Sequence, residues 1–243
     1  MDFCKPNLPL KAREIFVSSL IPNNIINELI KLGTIPVKLG RSSRICSELA
    51  FHPDILTLNY ANGKWLVADD ESYFPINMNN MLTRVKYNLS DMYPDDCIFN
   101  SFIIGSNIFC GRRNEEHYKN IDVLQGFSTV CFKQCYTKCS VIVLNECSFI
   151  TSDRAIEKKL KQLQYDCLYV TNNGIALNGF SCGFIGGCAG KIAYNQLVFT
   201  GNIKEHTDYN SIKSFCGNHG IDIYSLSKQP LYDYGGLLPV TEQ

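Results

Sequence analysis

The segment "CFKQCYTKCS" spaces Cys131, Cys135 and Cys139 four residues apart. Thiols so placed serve one of three chemistries: metal ligation, disulfide cross-linking, or a single nucleophile beside two inert neighbours. Structural zinc sites pair cysteines two to four apart and add a second pair or histidines. No tight second pair follows here, and Cys147 lies across a predicted hairpin, so no metal is expected. The chain carries 12 cysteines, and its first residues, "MDFCKPNLPLKAREIF", lack the basic and apolar segments of a secretory signal. A reducing, cytoplasmic setting is therefore expected, with most cysteines free and packed as small hydrophobes. The nucleophile reading then needs a thiolate, and a nearby positive charge or imidazolium to lower its pKa.

Elements must position such a thiol, and the chain is long enough to build them. Its 243 residues, 45% hydrophobic and 19% charged, suit a globular protein with a large core. A formal net charge of zero provides no basic field for nucleic acid. No apolar run reaches the roughly 18 residues of a spanning helix, so no membrane partner is expected.

A repeated plan runs through the chain. In "ECSFITSDRAIEKKLKQLQYDCLYVTNNG" a strand at Ser148 to Thr151 precedes Asp153, a helix cap, and then Ile156, Leu160 and Leu163 recur at helical spacing. "CLYV" follows as a second strand. The same order is predicted for "IFVSSLIPNNIINELIKLGTIPVKL" and for "QLVFTGN" through "IDIYSL". Weaker copies begin at "KWLVADD", continuing through "INMNNMLTRVKYNL", and at "NIFCGRRNEEHY". Between units the chain returns through a short extra strand, at "FHPDILTL", "CIFNSFII", "KCSVIVL", "GCAGKIAY" and "GGLLPV", with hairpin turns such as "YANGK" and "LNECS". Units that cannot bury their own apolar faces need neighbours, and five can close into a ring. The expected fold is α/β: one domain over residues 1–243, a five-bladed α/β propeller of ββαβ units around a central channel.

This plan resembles the pentein fold of the guanidino-group-modifying enzymes, which include arginine, agmatine and dimethylarginine hydrolases and the amidinotransferases. The stretch "GFIGGCAGK" through "YDYGGLLP" also looks like an uncharacterised bacterial family of that fold. In the enzymes one return strand carries His-x-Asp, a return two units later carries the nucleophilic cysteine, and a Glu-Gly-Gly turn lies one unit before His-x-Asp. Here His52-Pro53-Asp54 stands in one return, Cys139 two returns later, and "DYGGLL", with Asp233, Gly235 and Gly236, one return before. The order along the chain is shifted, because the enzymes place the cysteine in the last unit and this chain has Leu237-Leu238-Pro239 there. Tyr234 stands where the Glu would be, with Asp233 adjacent, and Cys188, after Gly186 and Gly187, is a rival inward thiol.

The resemblance implies a small-molecule pocket in the channel and no cofactor. Attack on an amidine carbon needs a thiolate (Cys139), a histidine to protonate the leaving amine and then activate water (His52), and carboxylates that hold the cation in a forked geometry (Asp54 and Asp233). Gly187, Gly235 and Gly236 would let backbone approach a ligand, and Cys188 would border it. The bland readings stand beside these. His52 before Pro53 suits a turn, Asp54 a local cap, Cys139 a buried small residue, and the glycines ordinary turns. His206 is expected at an exposed helix start, and His117 and His219 on the surface. The competing function is a catalytically silent pentein that binds or senses a ligand. One such use of the fold, a ribosomal-subunit anti-association factor, fits poorly with zero net charge.

Overall fold

A computed structural model describes residues 3–69, 73–87 and 89–243. Asp70 and Asn88, in the predicted segments of the second unit, lie outside the described residues.

The chain begins with β1 (Ala12–Ser18), α1 (Asn23–Lys31) and β2 (Ile35–Leu39). A short α2 (Pro53–Leu56) leads into β3 (Leu58–Ala61), β4 (Lys64–Ala68) and, after a 3₁₀ segment at Ile76–Met81, β5 (Leu82–Val85). Next come β6 (Phe102–Ile104), β7 (Asn107–Gly111), α3 (Glu115–Lys119) and β8 (Ser128–Phe132), then β9 (Val141–Asn145), β10 (Ser148–Thr151), α4 (Arg154–Gln162) and β11 (Asp166–Tyr169). The remainder is β12 (Ile175–Ala176), β13 (Ala189–Ala193), β14 (Gln196–Phe199), α5 (Tyr209–Asn218), β15 (Asp222–Ser225), β16 (Leu231–Tyr232) and β17 (Leu238–Glu242).

Among the described residues five three-stranded sheets result, ordered β17-β1-β2, β3-β4-β5, β6-β7-β8, β9-β10-β11 and β13-β14-β15, with β12 and β16 as a separate pair. In each, the return strand lies antiparallel to the middle strand, and the middle strand lies parallel to the third. Four of the predicted returns are strands over much of their latter half, whereas "FHPDILTL" forms the helical turn α2 and reaches its strand, β3, only at Leu58. The parallel step requires a crossover, and helical segments supply it. In the second sheet the crossover is the 3₁₀ segment, not the regular helix expected.

Burial follows position in the sheet. The middle strands read as apolar runs, as in Trp65-Leu66-Val67-Ala68 of β4, buried at every residue, because both faces are covered. The third strands are edges: Asp222, Tyr224 and Ser225 of β15 are exposed, and polar side chains there discourage pairing with another chain. The helices bury one stripe each, Ile25 and Leu29 of α1 and Ile156 and Leu160 of α4. Asp153 caps α4 through Oδ1, which accepts from the Ala155 and Ile156 amides at 2.8 and 2.9 Å. Return strands pack beside one another, β3 by β6 and β13 by both β9 and β17, so the turns that open them converge. No helix among the described residues is long and apolar enough to cross a membrane.

Candidate active site

His52 and Asp54 sit at the turn into α2, where Pro53 takes the first helical position. The His52 amide donates to the Leu49 carbonyl at 3.0 Å, and the Asp54 amide to the Gly235 carbonyl at 3.1 Å. The second bond ties the His-Pro-Asp turn to the Gly-Gly turn, from the far end of the chain. Gly235 has φ +77°, a left-handed conformation that favours glycine. A Cβ there would stand 2.5 Å from both Cα and Cβ of His52. The glycine therefore admits the histidine.

Asp233 follows β16 and is held by two amides. Its Oδ1 accepts from Gly235 N at 3.0 Å and its Oδ2 from Phe184 N at 2.9 Å. Oδ1 lies 3.6 Å from His52 Nδ1. A Cβ on Gly187 would fall 2.0 Å from that Oδ1, and one on Gly186 would meet the carbonyls of Lys138, Cys139 and Val141 at 2.5–2.6 Å. The Gly186 amide donates to the Cys139 carbonyl at 2.7 Å. So Gly186 seats the turn that bears Cys139 and Gly187 seats Asp233. Gly236 donates to the Gly187 carbonyl at 2.8 Å, closing the two glycine turns against each other. Gly187 and Gly235 thus pack on Asp233 and His52 of the protein itself. Cys188 is fully buried with its thiol on the Ile185 carbonyl at 3.2 Å, among Ile185, Leu197 and Phe199.

Cys139 opens the return into β9. Asn100, one return earlier, clamps it. Asn100 Oδ1 accepts from the Cys139 amide at 3.1 Å, and Nδ2 donates to Cys139 Sγ at 2.8 Å and to the Asp54 carbonyl at 2.9 Å. One amide side chain thereby fixes both the thiol and the His-Pro-Asp turn. Neither Asn100 nor Lys138 was singled out by sequence. Both occupy the residues just before a return strand, the frame that also yields Cys139, and aligning the returns exposes them.

These groups set one another's charge. Burial, then Asp54 and Asp233, push the Cys139 thiol well above its ordinary value, against the Asn100 donor. Burial and then Asp233 raise the Asp54 carboxyl, opposed by His52, Lys138 and Cys139. Burial lowers Lys138, opposed by Asp54 and Cys139. Burial and the two carboxyls thus act together to favour the protonated thiol at Cys139. Access is closed: His52, Asp54, Cys139 and Asp233 are 3%, 0%, 3% and 1% exposed. Two cavities of about 10 and 20 Å³ adjoin the site, and both are lined by Lys138 and Pro239.

The other two cysteines of the opening segment have different surroundings. Cys131 of β8 is half-buried, with Sγ 4.0 Å from Sγ of Cys110, its register partner on β7. Cys135 is buried in the following loop, its thiol lowered first by Cys97 and then by Tyr93. Every cysteine is a free thiol, and no metal-binding group of three or more ligands occurs among the described residues. His206 is a correction. It is buried rather than exposed, because Nε2 meets the Thr171 carbonyl and Nδ1 accepts the Asp208 amide, each at 3.1 Å.

The model of the family of unknown function DUF6873 matches residues 16–238. The chain belongs to that family. No curated protein matches the sequence. Among solved structures, this DUF6873 protein is similar to the inosamine-phosphate amidinotransferase STRB1 from Streptomyces griseus, with a TM-score of 0.66 and 9% identity over 100% of this chain and 97% of that one. It is also similar to SxtG, an amidinotransferase of the saxitoxin biosynthetic pathway from Microseira wollei (TM-score 0.64, 11% identity, 100% and 98% covered). A third similar structure is the agmatine deiminase of C. jejuni (TM-score 0.57, 8% identity, 100% and 97% covered). At these identities the likeness shows the fold, a mixed α/β fold of the pentein type.

Proposed function

We propose that this DUF6873 protein is a cysteine-dependent enzyme acting on a C–N bond of a small amidine or guanidine. The supporting observation is the convergence of Cys139, the His52–Asp54 pair and Asp233 from three returns, locked by Asn100 and the Gly-Gly turns. In this reading the five sheets are the blades of a propeller and the converging turns face its channel. A substrate cation settles between Asp54 and Asp233, and its charge draws the thiol toward thiolate. The Cys139 proton passes to His52 as Sγ bonds to the amidine carbon. His52 then returns a proton to the departing amine as the C–N bond breaks, leaving an amidino-thioether on Cys139. Water completes a hydrolase cycle, and a second amine completes a transferase cycle. The closed site must open to admit substrate, and the exposed loop 178–181, which leads into the Phe184 amide on Asp233, is the segment suited to move.

The test compares labelling of Cys139 by a haloacetamidine and by iodoacetamide near pH 7, read by peptide mass spectrometry. The cationic reagent should label Cys139 faster than the neutral one. Asp54→Asn should slow the amidine yet speed iodoacetamide, because the carboxylate attracts the first and suppresses the thiolate that attacks the second. Cys135 is the internal control and should show neither preference. Equal rates at Cys139 with both reagents, or no labelling, would favour a silent binding protein.

A further inference from the structure

The smaller cavity, about 10 Å³, is lined by Asp54, Thr57, Asn59, Trp65, Ser101, Lys138 and Pro239 among others. Asn59 Oδ1 and Trp65 Nε1 have no hydrogen-bond partner within the protein, and the two carboxylate oxygens of Asp54 have no nitrogen or oxygen donor, the Cys139 thiol being their polar neighbour. Asp54, Asn59 and Trp65 are more than nine-tenths buried, at 0%, 8% and 1% exposure. Buried polar groups are almost always paired, and each orphan costs on the order of 1–3 kcal/mol. Such atoms gathered on residues around one cavity identify a place where a partner belongs.

The types of the orphans define the partner. Trp65 Nε1–H is a donor only, and Lys138 brings an ammonium to the same wall; together they repel a metal cation. Asp54 and Asn59 Oδ1 are acceptors, and they repel an anion. The partner must accept and donate at once. It must also be small, because the volume matches the roughly 10–15 Å³ that one water needs on the same measure.

We propose that this cavity is a built site for a single water molecule, which accepts from Trp65 Nε1 and donates to the Asp54 carboxylate and to Asn59 Oδ1, with the Lys138 ammonium beside it. The water joins the carboxylate to the buried lysine that precedes the thiol in the chain. It makes Lys138, through the water, a positioning residue for Asp54. The site stands on these orphaned atoms whether or not Cys139 turns over a substrate.

The chain contains one tryptophan, so Trp65 reports the site alone. In a crystal structure fine enough to resolve bound solvent, one peak should lie about 2.9 Å from Trp65 Nε1 and within hydrogen-bonding distance of Asp54 or Asn59. In solution, the single indole ¹⁵N–¹H resonance should show a direct cross-relaxation peak to a long-lived water. Asn59→Leu, which fills the cavity with a side chain, should abolish both signals. Three crystallographic outcomes would overturn the proposal: a dry cavity, the Lys138 ammonium itself seated on Asp54, or a metal ion at coordination distance. If Asn59→Leu fails to fold, the wild-type crystal and resonance still decide. Loss of thiol selectivity at Cys139 bears on the activity and leaves this water untouched.

Discussion

Asn100→Ala is the sharpest perturbation of the site, because one side chain carries three of its hydrogen bonds. The substitution removes the bonds to Cys139 N, Cys139 Sγ and the Asp54 carbonyl, at 3.1, 2.8 and 2.9 Å. A typical bond contributes about 1 kcal/mol net, and partners left unpaired in a buried site add to the loss. Asn100 is fully buried, so the variant should be about 3 kcal/mol less stable. Urea unfolding followed by circular dichroism measures this as a lower midpoint with unchanged slope. A second readout follows from the bond to sulfur. The Nδ2 donor favours the thiolate, so its loss raises the Cys139 pKa, and each unit slows labelling about tenfold near pH 7. Asn100→Asp keeps the shape and replaces both donors with an acceptor next to Asp54. It should therefore be at least as damaging as alanine despite its near-identical volume. Stability within about 0.5 kcal/mol of wild type for Asn100→Ala, where one bond alone is worth about 1, together with an unchanged Cys139 labelling rate, would refute the clamp.

Gly187→Ala should displace Asp233, since its Cβ would lie 2.0 Å from Oδ1. The expected cost is about 1–3 kcal/mol of overpacking, with loss of amidine selectivity at Cys139, measured by unfolding and by paired labelling. Asp54→Asn should change the pH dependence of stability. The folded Asp54 carboxyl is raised by burial and then by Asp233 above its unfolded value near pH 4. Its contribution is therefore complete below about pH 4 and is lost as pH rises through the folded value. Wild type should lose stability across that window relative to Asp54→Asn, and parallel urea midpoints from pH 4 to 8 would sink this assignment.

Much of the fold was legible in the residues because its periods are local. The strand–helix–strand units show through Ile156, Leu160 and the Asp153 cap, and the returns through short apolar runs ended by turn residues. The second unit was least legible: its "INMNNM" segment lacks an apolar stripe and forms a 3₁₀ turn ahead of β5. The placing of His52, Asp54, Cys139 and Asp233 together followed from the repeat register and the pentein resemblance. What stayed hidden is held by long-range bonds between unlike segments. Asn100 touches residues 39 and 46 positions away, and nothing in "CIFNSFII" marks its asparagine as special. The burial of His206 depends on the Thr171 carbonyl 35 residues back, which helix signals do not reveal.

The pairing of β17 with β1 also has a consequence for biosynthesis. Glu14 bonds to Thr241, 227 residues later, and the strand that brings Thr241 also brings Leu238 and Pro239 to the two internal cavities. β1 cannot complete its pairing until β17, 227 residues further along, has been synthesised. Loop closure over such a span is slow because its entropy is spent before the contact is made. Until β17 docks, the wall beside Asp54 and Lys138 is open to solvent. Docking of β17 is thus the step that seals Asp54 and Lys138 behind Leu238 and Pro239.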